Sequence, residues 1–183
     1  MTTKMLFIVL AALFYSADSG TTCCKDGWLP YSGSCYMFYD EHKVDWNEAV
    51  TYCRNRNSQL VSIETAHEST FLKSFARKLF KAAPPGKNSS SERNVTAFWL
   101  GASDTDIEGL WKWVSTDEEV SYTEWDLLSS KPQPNNDPDN KEDCLALNGA
   151  YDFNWHDGLC EERLGYPLCE IRTDDGNSMQ VIG

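Results

Sequence analysis

The sequence predicts an α+β domain. Two capped, amphipathic helical segments follow an aromatic hairpin in the N-terminal half, and short aromatic strand-like runs fill most of the second half. Seven cysteines behind an apolar leader predict that disulfides hold this domain together. At 183 residues the chain can bury one sizeable core, and neither an internal repeat nor a second domain is visible.

The elements follow in order. Residues 1–19 read as a secretory signal peptide: Lys4 precedes an apolar run from Met5 to Tyr15, and the small residues Ala17 and Ser19 place cleavage after Ser19. The run is too short to span a bilayer, and no later segment has the length and hydropathy to insert in a membrane. Residues 24–39 alternate as a hairpin, with Pro30, Ser32 and Gly33 as turn residues. Asp45 and Glu48 form a capping box ahead of Trp46, Ala49, Val50 and Cys53 at helical spacing. A second helix starts at Thr65, with Glu68 in the same capping role and Phe71, Leu72, Phe75 and Leu79 as its apolar stripe.

Residues 82–93 are rich in Pro, Gly and Ser and read as an exposed loop. Two glycosylation sequons, at Asn88 and Asn94, lie in and beside it. Strand-like runs follow at 98–102, 110–114 and 122–125, and 144–147 and 166–171 close the fold. The mature domain is expected over residues 20–172, with 173–183 a polar, flexible tail.

The charge and the cysteines narrow the function. Loss of residues 1–19 removes one Lys and one Asp, so the net charge stays at −12. That acidity argues against nucleic acid and anionic lipid as partners and fits cations or basic surfaces. No CxxC pair supports a zinc ribbon or a thioredoxin-type centre. Three scattered histidines, His42, His67 and His156, accompany no recognisable nucleophile or paired-carboxylate motif, so an enzyme is not expected. The informative stretch is Gln133 to Cys160, where Gln133, Asn135, Glu142 and Asp157 concentrate side-chain oxygens in a loop that two cysteines can tie. Such donors suit Ca²⁺, a hard cation that takes oxygen ligands; His156 is the odd member.

Together these residues resemble the C-type lectin-like domain family over residues 24–171. Cys24 to Trp28 with Cys35-Tyr36 is similar to the N-terminal hairpin of the long form, and Trp99-Leu100-Gly101-Ala102 resembles the WIGL signature. Trp111, Trp113 and Trp125 match the aromatic positions that follow. Gln133-Pro134-Asn135, Glu142-Asp143-Cys144 and Trp155-His156-Asp157 match the calcium and sugar motifs. The resemblance implies two helices flanking small antiparallel sheets with a long calcium-binding loop. It also implies three disulfides: Cys24–Cys35, Cys53–Cys169 and Cys144–Cys160. Cys23 is left over for a disulfide-linked homodimer or an adduct with a small thiol.

The resemblance further implies a principal calcium site at Gln133, Asn135, Glu142 and Asp157, with the Asp157 backbone carbonyl assisting and Pro134 in the cis form. The same residues, with His156, would meet the sugar hydroxyls. Asp104, Glu108, Asn136 and Asp143 are similar to an auxiliary calcium set, with Asp137 able to replace Asn136. Two departures stand out: His156 occupies a position usually held by Asn, and the Gln133–Cys144 spacing is one residue longer than the commonest form. With only Glu142 and Asp157 supplying carboxylates to the ion, the calcium dissociation constant is expected on the order of 10⁻⁴–10⁻³ M. The Gln of QPN suggests galactose or N-acetylgalactosamine, with Tyr151 or Phe153 replacing the usual stacking aromatic. A secreted lectin that binds glycans or glycoproteins, in innate immune recognition, is the first expectation. The alternative is a calcium-modulated protein- or mineral-binding domain on the same fold.

Overall fold

The computed structural model describes residues 24–81, 96–135 and 141–172. The expected signal peptide, Cys23, both sequons' asparagines, Asn136, Asp137 and the expected tail lie outside the described residues.

Eight strands form one sheet in the order β1-β2-β8-β4-β6-β7, with β3 added against β8 and β5 against β4. The N-terminal hairpin joins β1 (Leu29–Tyr31) to β2 (Ser34–Phe38), and β2 pairs antiparallel with the last strand, β8 (Gly165–Arg172). The turn is Ser32-Gly33, both at positive φ (+47° and +89°), a geometry that Gly adopts without steric cost. Pro30, expected in the turn, belongs to β1. The N-terminal edge suits it, because a proline lacks the N–H a central strand would need.

Helix α1 (Trp46–Arg54) begins where the capping pattern places it. Asp45 Oδ1 accepts the Glu48 N–H at 2.8 Å, and Glu48 Oε2 accepts the Asp45 N–H at 3.3 Å. Its first N–H, from Trp46, bonds the Cys160 carbonyl at 2.9 Å. Helix α2 (Ala66–Lys81) departs from the expectation in one respect. Thr65 Oγ1 accepts the Glu68 N–H, but the Glu68 carboxylate turns to the Glu64 N–H (3.0 Å) and the Tyr36 hydroxyl (2.7 Å) instead of closing a capping box. Glu68 therefore binds the helix to β2.

Strand β3 (Gln59–Leu60) follows α1, and β4 (Ala97–Ser103) runs parallel to β8 and antiparallel to β6 (Cys144–Asn148). The parallel β4–β8 pairing departs from wholly antiparallel sheets. It arises because β8 fits between β2 and β4. The 110–114 run shortens to β5 (Lys112–Trp113), and 122–125 contributes one isolated parallel bridge, Trp125 to Trp155, not a strand. Aromatic packing, not ladder length, fixes these residues: the Trp155 ring, fully buried, sits edge-on to Trp113, Tyr122 and Trp125 at 5.7–6.1 Å. Strand β7 (Asn154–Gly158) pairs with β6 and was not separated from its motif by sequence pattern.

Phe98, Leu72, Leu100, Leu145, Leu147 and Leu168 are fully buried in the main cluster. The disulfides are Cys24–Cys35, Cys53–Cys169 and Cys144–Cys160, the expected pairs. Cys53–Cys169 spans 116 residues and ties α1 to β8. No helix among the described residues is long and apolar enough to cross a membrane.

Candidate functional site

The β6–β7 hairpin and the segment ahead of it carry the expected ligands, and one hydrogen bond joins two of them. Asp157 lies opposite Leu145 on β7 and is 2% exposed. Its Oδ2 accepts the Asn135 N–H at 2.9 Å, which fixes the QPN triplet against the strand. The Gln133–Pro134 peptide is cis, as the resemblance implies. Gln133 is 4% exposed; its N–H bonds the Asp126 carbonyl at 2.8 Å, and its Oε1 has no hydrogen-bond partner among the described residues. Glu142 is partly buried two residues before Cys144, whose disulfide to Cys160 braces the hairpin.

His156 meets Tyr151 and the Asp157 backbone. Its ring stacks on Tyr151 (centroids 4.9 Å, planes 15° apart), and Nδ1 lies 2.7 Å from the Asp157 carbonyl oxygen. In the tautomer with hydrogen on Nδ1 it donates to that carbonyl. Phe153, one of two aromatics expected to stack on sugar, is fully buried in the core and cannot do so. Tyr151 is partly exposed but already stacked on His156.

Two members of the auxiliary set, Asp104 and Asp143, meet through their backbones beside the start of β6. The Asp104 N–H donates to the Asp143 carbonyl at 3.2 Å, and Asp104 Oδ2 accepts the Gly109 N–H at 2.9 Å. Asp104 is 4% exposed, and its Oδ1 has no hydrogen-bond partner among the described residues. Burial pushes its carboxyl up to about 6; the Gly109 N–H opposes this, and the Glu108 and Asp143 carboxylates reinforce it. Asn136 and Asp137 are outside the described residues.

These features fit a hard cation. Buried side-chain oxygens are nearly always hydrogen-bonded, so the orphaned Gln133 Oε1 and Asp104 Oδ1 each call for a partner. One belongs to each expected calcium set. Among the described residues no group of three or more His, Cys, Asp and Glu side chains is gathered closely enough to hold a metal ion.

Sequence reasoning missed Asp126. It is 3% exposed, its N–H donates to the Trp155 carbonyl at 3.0 Å, and its carbonyl holds Gln133. Asp126 thus bolts the QPN segment to β7, and the only sequence signal was an acidic residue directly after Trp125. Beyond it Leu127 and Leu128 stand out at 66% and 93% exposed.

Comparison with known proteins bears on the family and the fold. The family model "Lectin C-type domain" matches residues 42–171. A perlucin-like protein of Mytilus galloprovincialis is 28% identical over 165 residues, covering 87% of this chain and 94% of that one. Human asialoglycoprotein receptor 2 is 30% identical over 163 residues, covering 88% of this chain but 45% of the receptor, so the chain spans about half of that relative. The solved carbohydrate-recognition domain of the mouse scavenger receptor C-type lectin superposes with a TM-score of 0.61 at 27% identity, covering 81% of this chain and 96% of that one. The chain belongs to the C-type lectin domain family.

Proposed function

We propose that this protein is a secreted, calcium-dependent lectin for terminal galactose or N-acetylgalactosamine, acting in recognition of foreign glycans. It binds its ligand and does not transform it. The observation that carries the reading is Gln133. Its Oε1 is buried and has no hydrogen-bond partner among the described residues, beside an Asn135–Asp157 bond, in a cis-Pro segment of the expected kind. Gln133, Asn135, Glu142 and Asp157 would hold the ion, and the Asp104, Glu108 and Asp143 set, with Asn136, would order the loop. Bound calcium would supply a Lewis-acidic contact to sugar hydroxyls, while the amide N–H groups of Gln133 and Asn135 donate to those hydroxyls. The relatives named asialoglycoprotein receptors support a glycoprotein ligand. Removal of residues 1–19, a Cys23-linked homodimer and sugar chains at Asn88 and Asn94 belong to the same proposal.

The net charge of −12 favours a second reading, in which the fold contacts a basic protein or a mineral surface without sugar. Affinity columns of galactose and of mannose, run in calcium and again with chelator, separate the two. The lectin reading expects retention on galactose, elution by free galactose and loss in chelator. Failure to bind either sugar, or binding unchanged by chelator, refutes it.

A further inference from the structure

A cavity of ≈ 590 Å³ is lined by none of the five residues expected to meet sugar. Its walls come from the start of α1, the 103–114 segment, Lys141 and Asp143 ahead of β6, and the chain at Cys160 and Glu161. The volume falls within the roughly 300–1,000 Å³ of ligand sites. We propose that this cavity is a docking groove for a basic segment of a partner protein. The segment presents an aliphatic side chain to Ile107 and Val114 and an arginine or lysine to Asp106 and Glu161. This inference goes beyond the lectin reading and does not depend on it.

The apolar part of the lining is open to a partner. Ile107 and Val114 are 59% and 50% exposed, and both border the cavity. Exposed apolar side chains gathered in one cavity point to a contact, whereas single scattered ones do not. Hydrogen bonds hold both in place. The Leu110 N–H bonds the Ile107 carbonyl at 2.9 Å, and Gly109, at φ +78°, turns its N–H to Asp104 Oδ2 at 2.9 Å, which closes the turn that carries Ile107. Val114 follows β5 and donates its N–H to the Gly101 carbonyl at 2.8 Å. Trp46, partly buried, gives its backbone N–H to Cys160 and its indole N–H to the Leu100 carbonyl, both at 2.9 Å. What Trp46 offers the cavity is therefore ring surface and not a donor. A groove fixed before its partner arrives loses less entropy on binding.

Charge selects the partner. Four carboxylates line the cavity, Asp106, Asp117, Asp143 and Glu161, against two ammonium groups, Lys112 and Lys141. Lys112 is committed: its Nζ donates to Asp117 at 3.0 Å, which raises the ammonium above the ordinary lysine range, and Asp106 adds to this from farther off. Asp143 belongs to the expected auxiliary calcium set. Asp106 and Glu161, both exposed, remain and outnumber Lys141. The net charge of −12 draws cationic segments at long range and repels a second copy of the chain. Acidity alone would accept any polycation. Ile107 and Val114 add the requirement for an aliphatic side chain beside the basic one.

The test uses the full mature protein in calcium at physiological salt and follows fluorescence anisotropy of three short labelled peptides. One alternates Leu with Arg, one Leu with Glu, and one Ser with Arg. The groove predicts that the Leu/Arg peptide binds about 10-fold tighter than either control. Equal binding of Ser/Arg reduces the effect to bulk charge, equal binding of Leu/Glu removes the carboxylates from it, and either result overturns the proposal. Ile107→Ser combined with Val114→Ser should weaken the Leu/Arg peptide about 10-fold, and Glu161→Lys about 5-fold. Asp26→Lys makes the same charge change at an exposed residue outside the cavity and should weaken it less than about 2-fold. Equal losses in Glu161→Lys and Asp26→Lys, or no loss in the double variant, overturn the groove. Free galactose should leave the peptide bound; displacement would place the peptide at the sugar site instead. Sedimentation of the protein alone covers the remaining occupant. Self-association that disappears in the double variant would assign the groove to a second copy and overturn the proposal.

Discussion

Replacing Lys73 with Met should loosen the brace between α2 and the segment that leads into the candidate site. Lys73 is 6% exposed, and its Nζ donates to Glu124 Oε1 at 2.7 Å and to Asn154 Oδ1 at 2.6 Å. Glu124 also receives the Ser69 and Tyr122 hydroxyls, and its carbonyl takes the Trp155 N–H at 2.9 Å. Met keeps the apolar stem and volume but removes the charge and both hydrogen bonds. Breaking a fully buried ion pair from one side costs about 3–5 kcal/mol. Here the Glu124 side chain is 35% exposed and keeps two other donors, so water and neighbours recover part of the loss. The expected cost is about 2 kcal/mol, or a fall of roughly 4–8 °C in melting temperature for a domain of this size.

The pH dependence separates electrostatics from packing. Burial alone would raise the Glu124 pKa, but hydrogen bonds from Lys73 and Ser69, the Lys73 charge and the Tyr122 hydroxyl together bring it below the ordinary glutamate value. A carboxyl depressed in the folded state contributes stability that is fully present above its unfolded pKa. That contribution is lost as pH falls through the folded pKa. The gap between wild type and Lys73→Met should therefore be full at about pH 7 and shrink toward about pH 3. Urea melts at several pH values measure it. Equal stability at neutral pH, or a gap that stays constant on acidification, would refute the reasoning.

Two further outcomes test the fold. Gly101→Ala should destabilise by about 1–3 kcal/mol in thermal melts, because its Cβ would stand 2.8 Å from the Leu60 carbonyl oxygen, where backbone from β3 and β4 must both give way. Changing Cys53 and Cys169 together to Ala should lower stability by about 4–5 kcal/mol in denaturant titration, since that bridge closes 116 residues of chain separation. An equal loss from the Cys24–Cys35 pair, which spans 11 residues, would argue against the loop-entropy account.

The legible parts of the fold were those written in local chemistry. The Asp45–Glu48 box marked the start of α1 because cap and acceptor are three residues apart. Cysteine positions and the Trp99-Leu100-Gly101-Ala102 run supported the fold through family resemblance, and the three disulfides followed from it. Glu68 was misread because its partners, Glu64 and Tyr36, compete with the cap, and Tyr36 reaches it only through tertiary packing. Residues 122–125 have strand-like composition, yet they are held by contacts with Trp155 and α2 and not by a ladder. At the candidate site, donor types were visible in sequence. The burial of Asp126 was not, because it depends on residues far apart in the chain.

The placement of β8 gives the molecule a direction. Arg172 at the end of β8 pairs with Ser34, and Cys24 is bonded to Cys35 on the same β2 strand, so both ends of the folded core emerge at one margin of the sheet. Strand β7, with Asp157, lies at the other end of the strand order. Any attachment made through either end, to a second copy or to a larger assembly, would grip the domain by a handle remote from β7. Several such domains joined by their handles could present their recognition faces outward together. Weak individual contacts would then add up as avidity, without a change in the site itself.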